Sequence, residues 1–164
     1  MRYLNKFVAA GLAGAGVFAS ASVALAAAQT GNASASIQQA ISITENTAMD
    51  FGIIAVDGSA GTVTISSAGA VSGPAGYTFS GSPAAGTFTD SGDASTAVTI
   101  SFTAGSLTGP GTAMTLNNFT HDAGGTPTTD ALGDLTFNVG ADLGVNLTQA
   151  SGAYSGTYTV TVNY

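Results

Sequence analysis

The chain has 164 residues, 45% apolar and only 7% charged, with 23 glycines and no cysteine. Its only basic residues besides one histidine are Arg2 and Lys6, so everything after them sets nine acids against no lysine or arginine. That balance excludes nucleic acid and anionic membrane as partners, since both need Lys and Arg to neutralise phosphate, and it speaks against phosphorylated cofactors.

The missing lysine also excludes fibres cross-linked through lysine isopeptide bonds. With no Cys, no disulfide helps in an oxidising compartment, and stability must come from sheet and core alone.

Residues 1–6 carry both cations, and residues 7–25 are uncharged and rich in Ala, Gly, Val and Leu. Ala24-Leu25-Ala26 and Ala26-Ala27-Ala28 fit the small-x-small cleavage rule, with Ala26 and Ala28 as the cleavage positions. This reads as a helical secretory signal peptide over residues 1–28. Removing it leaves 164 − 28 = 136 residues, enough for one domain with a core. The acids that remain are Glu45, Asp50, Asp57, Asp90, Asp93, Asp122, Asp130, Asp134 and Asp142, for a formal charge of −9.

In chain order, residues 29–32 are polar, and residues 33–43 alternate. Ala33, Ala35, Ile37, Ile41 and Ile43 share one face, interrupted only by Gln39. Residues 44–47 read as a turn. Residues 49–56 form an apolar run that ends at the Asp57-Gly58 turn signal. Short strands are predicted at 62–66, 77–80 and 87–89, and Asp90-Ser-Gly-Asp93 reads as a turn. Residues 97–103 place Val98, Ile100 and Phe102 on one face, and 114–119 is a further strand. Residues 121–133 form a long polar loop. Residues 135–139 and 143–147 read as two strands separated by Gly140-Ala-Asp142.

The last stretch gives the clearest signal. Tyr158, Val160, Val162 and Tyr164 alternate with Thr157, Thr159, Thr161 and Asn163, the period-two pattern of a strand with one apolar face. Beyond the leader no window has a 3.6-residue period. Short strands punctuated by Gly and Pro predict an all-β, antiparallel sandwich in one domain.

Three features suggest chemistry. Asp90-Ser91-Gly92 matches the triplet that aspartic proteases use to present a carboxylate, but no second copy exists, and a turn accounts for the same residues. His121 is the sole histidine, no Gly-x-Ser-x-Gly elbow is present, and one His without Cys cannot build a zinc site. It is expected exposed in its polar loop. The acids are scattered without an Asp-x-Asp-x-Asp loop, so a solvated acidic surface is favoured over a calcium site. Neither an enzyme activity nor a cofactor or metal is expected.

The segment before Ile41 has two readings. It is either the first strand of its own domain or a detachable arm over residues 29–40 that completes a neighbour's sheet by strand addition. In the second case backbone hydrogen bonds supply affinity and alternate side chains fill pockets. Ten extended residues reach about 33 Å, enough to run the length of a sandwich.

The whole of residues 33–164 resembles a set of small secreted bacterial β-domains of unknown function. The resemblance is carried by Ile43-Thr-Glu and Met49-Asp-Phe-Gly52, by Gly61-Thr-Val-Thr-Ile65, by Val139-Gly-Ala-Asp-Leu143, and by Gly152-Ala-Tyr-Ser-Gly-Thr-Tyr-Thr-Val-Thr-Val-Asn-Tyr164. The layout is also similar to spore coat protein U-type subunits, the pilins of archaic chaperone–usher fibres. That resemblance implies an incomplete immunoglobulin-like sandwich over 41–164, completed by donor-strand exchange. Ala33, Ala35 and Ile37 would belong to the donor strand. Ile41, Ile43, Tyr158, Val160, Val162 and Tyr164 would line the acceptor groove. The implied partners are further copies of the chain, a periplasmic chaperone and an outer-membrane usher. The implied route is Sec export through the periplasm to a cell-surface fibre. The alternative is a monomeric secreted surface or adhesion domain whose acidic surface holds calcium.

Overall fold

The computed structural model describes residues 26–164, so the signal-peptide reading of residues 1–28 falls almost wholly outside the described part. The chain divides into two units, Met1–Ser36 and Ile37–Tyr164. The described residues of the first, 26–36, are exposed and form no regular structure.

The second unit is all-β and antiparallel, as expected, and no helix occurs among the described residues. Its strands are β1 (Ser42–Thr47), β2 (Ile53–Ala55), β3 (Gly61–Ile65), β4 (Val71–Ser72), β5 (Thr78–Ser80), β6 (Gly86–Ser91), β7 (Thr99–Thr108), β8 (Met114–His121), β9 (Asp134–Val145) and β10 (Ser155–Asn163). The main ladder runs β1-β6-β9-β8-β7-β10, with β3 also pairing β9 and β4 pairing β3; β2 and β5 form a separate ribbon. The result is a sandwich curling towards a barrel.

Alternation drives the packing. In β6, Gly86, Phe88 and Asp90 point inward while Thr87, Thr89 and Ser91 face out. Two apolar clusters fill the interior. One gathers Phe51, Val63, Ile65, Met114, Leu116 and Leu143. The other gathers Phe88, Val98, Phe137, Val139 and Val162. Met49, Phe119 and Tyr158 pack against both and join them.

Four local readings are corrected. Residues 44–47 are strand, not turn: they complete β1, whose six residues are all exposed, so burial exerts no pressure for an apolar pattern there. Asp90 and Ser91 extend β6 rather than forming a turn, with Asp90 paired to Ile43 on one side and Leu135 on the other. The two strands expected at 135–139 and 143–147 are one continuous β9. Its first half pairs β6 and its second half pairs β3, so the chain runs straight through Gly140 as its neighbour changes. His121 is the last residue of β8 and half-buried, not exposed in a loop.

Candidate assembly groove

The ladder has two ends, and they lie across from each other. Among the described strands β1 pairs only with β6, and β10 only with β7. Between their free edges is a cavity of about 350 Å³. Ile43, Glu45, Ala48 and Met49 line it from β1 and the segment after it, and Gly156, Thr157, Tyr158 and Val160 line it from β10, together with Phe88 of β6. An unpaired edge carries a row of free N–H and C=O groups, and here two such rows flank one groove.

The residues expected at an acceptor groove divide into three sets. Ile43, Tyr158 and Val160 meet in the groove wall. Ile41 and Val162 turn into the second core cluster instead, Val162 being buried. Tyr164 lies just past the end of β10 and is 39% exposed. Of the donor residues, Ala33 and Ala35 are exposed outside any strand, and so is Ile37, at 94%. Ala26 and Ala28 are likewise exposed.

Tyr158 is a half-buried wall residue held by aromatic neighbours. Its ring stacks on Phe119 with centroids 5.0 Å apart and meets Phe88 edge-on at 6.2 Å. Its hydroxyl is buried with no hydrogen-bond partner. Burial, followed by the negative charge of Glu45, pushes this phenol up to about 12. Gly86 makes the arrangement possible, because a Cβ there would run into the Tyr158 hydroxyl.

A second node lies beyond Tyr158. The Gln39 N–H donates to Asp93 Oδ1 at 2.9 Å. The Tyr164 hydroxyl donates to the Gln39 carbonyl at 3.1 Å and accepts from the Asp93 N–H at 2.6 Å. Thr129, itself buried, donates its hydroxyl to the Asp93 carbonyl at 2.6 Å and holds that loop in place. Gly92 leaves room for the Tyr164 hydroxyl, which a Cβ would meet.

The residues singled out for chemistry lie elsewhere. Asp90 is fully buried, and neither carboxyl oxygen has a hydrogen-bond partner. Burial and the neighbouring Asp134 charge raise its pKa, and the nearby Ser91 N–H offsets only part of this. Its carboxyl is out of reach of a substrate arriving from solvent. His121 packs against Phe102 and Phe137 at 6.1 and 6.3 Å, with Nδ1 buried and unpartnered. Among the described residues no three His, Asp or Glu side chains gather as they must to hold a metal ion.

Sequence reasoning missed Glu45, Phe88 and Met49 as wall residues and Gln39 and Asp93 as the node. Glu45 and Asp93 both sat in presumed turns. The available signals were the Gln39 break in the alternation and the Met49-Asp-Phe-Gly motif.

Residues 41–164 match the family described as a domain of unknown function, DUF4402. The chain belongs to this family. The match opens at Ile41, immediately before β1, and closes at Tyr164, so both groove walls lie inside the DUF4402 domain and residues 29–40 lie before it. No curated protein and no solved structure matches the chain.

Proposed function

We propose that this DUF4402 chain is a structural subunit of a secreted surface fibre. One subunit's N-terminal arm adds as a strand between β1 and β10 of the next, by donor-strand exchange. The observation that carries this reading is the pair of facing, unpaired edges at the two ends of a single ladder. One added strand would pair with both and leave no free edge. The occupant is drawn from residues 29–40 of another copy. Those residues are exposed, outside any strand, uncharged, and alternate through Ala33, Ala35 and Ile37. Strand addition suits that composition, because main-chain bonds provide affinity and only every second side chain needs a pocket.

On this reading the chain has no catalytic role. It passes through the periplasm with a chaperone covering the groove, and an outer-membrane usher then exchanges that cover for the next arm. An open edge flanked by Val160 is an aggregation hazard until it is covered. The test deletes residues 29–38 and examines cells and purified protein by electron microscopy. Fibres are expected from the intact chain and none from the deletion, with the domain still folded by circular dichroism. Fibres that persist without the arm, or that never form with it, sink the proposal.

A further inference from the structure

The Gln39–Asp93–Tyr164 node lies in line with the groove. Gln39 is four residues before Ile43 on one wall, and Tyr164 is four residues past Val160 on the other. Both walls therefore lead to it, about 13 Å beyond the cavity. The β1–β6 ladder starts at the pair Ser42↔Ser91. Continued outward by two residues, it would set Ala40 against Asp93 and draw the arm into its own sheet. It does not continue. The Gln39 N–H is taken by the Asp93 carboxylate and its C=O by the Tyr164 hydroxyl, so side chains occupy both main-chain groups that a ladder would use.

We propose that this clasp separates arm from domain: Asp93 and Tyr164 are positioning residues that stop β1 at Ser42, fix the point where the arm departs, and close the far end of the groove. The role rests on the fibre reading above. It accounts for three otherwise unrelated features. Gln39 interrupts an alternating face. Gly92 is bare where the hydroxyl passes. Thr129 is buried in order to hold the Asp93 loop. A fixed exit gives every junction along a fibre the same geometry, whereas a loose exit lets the inserted strand slip by two residues, the smallest step that keeps its faces.

The test uses the whole secreted chain with Tyr164→Phe, Asp93→Ala and the conservative Asp93→Asn, which keeps a carbonyl oxygen for the Gln39 N–H. In the monomer, hydrogen exchange at the Gln39 amide should accelerate by about tenfold or more in Asp93→Ala, which removes its acceptor, and stay near wild type in Asp93→Asn, with β9 amides unchanged in all. By electron microscopy, fibres of Tyr164→Phe and Asp93→Ala should lose their regular axial repeat, and Asp93→Asn should keep it. A purely structural clasp would lower the melting temperature and leave the repeat intact. Unchanged Gln39 exchange in Asp93→Ala, or a wild-type repeat in Tyr164→Phe fibres, overturns the clasp while the fibre reading stands. A wild-type chain that never assembles overturns both.

Discussion

Asp90 is the residue most at odds with its surroundings. A fully buried carboxylate with no partner is costly when charged, and burial together with Asp134 pushes its pKa up. A carboxyl whose folded pKa is raised stabilises the fold below the ordinary carboxylate range and loses that contribution as pH rises through the raised value. Replacing it with valine, a good strand former, removes the charge. Asp90→Val should therefore be more stable than wild type at pH 7 by about 1–3 kcal/mol, with the gap narrowing as pH falls through the raised value and levelling off below about 4, where the carboxyl is protonated in the unfolded chain as well. Urea unfolding at the two pH values measures this, and a variant less stable at both would show that the carboxyl has a partner in solution. Asp57 and Asp130 act in the opposite sense. The Ser59 hydroxyl and amide hold Asp57 low, and the backbone N–H groups of Asp134 and Leu132 hold Asp130 low. Their contribution is present above the ordinary carboxylate range and fades in acid.

At the scale of elements, β10 was fully legible and β1 was not, for one physical reason. The inward face of β10 packs on a core, so its alternation is written in Tyr158, Val160 and Val162. The inward face of β1 meets an open groove, so nothing obliges it to be apolar, and Glu45-Asn46 passes for a turn. The strand β9 was split at Gly140 because glycine usually marks a break; here the strand continues because it exchanges neighbours there. Asp90-Ser-Gly was legible as a motif but not as buried strand, since only the fold reveals that Asp90 faces inward. The arm makes a prediction at this scale. Ile37 is 94% exposed and is the arm's largest side chain, so Ile37→Asp should leave the melting temperature of the domain unchanged and abolish fibre formation. Fibres at wild-type yield would show that Ile37 fills no pocket.

For the whole molecule, charge would set the conditions of the proposed assembly. After residue 6 the chain carries nine acids and no lysine or arginine, and residues 29–40 carry no charge at all. Repulsion therefore acts between domains and not between arm and groove. Screening should relieve it, since the Debye length falls from about 30 Å at 0.01 M salt to about 3 Å at 1 M. Assembly followed by light scattering should speed up as NaCl rises across that range. Slower assembly in salt would instead mark an attractive electrostatic interface. In this respect the chain differs from proteins whose contacts depend on ion pairs, which salt weakens.

The stack of Phe102, Phe119 and Tyr158, with successive centroids 5.2 and 5.0 Å apart, has an optical consequence. The chain contains no tryptophan and only five tyrosines, so tyrosine emission and near-ultraviolet dichroism are not masked. One of those chromophores is clamped between aromatic rings on one side and the groove on the other. A strand entering the groove changes the surroundings of Tyr158 and leaves the interior tyrosine Tyr77 untouched. On the fibre reading proposed above, the protein carries its own label-free reporter of groove occupancy.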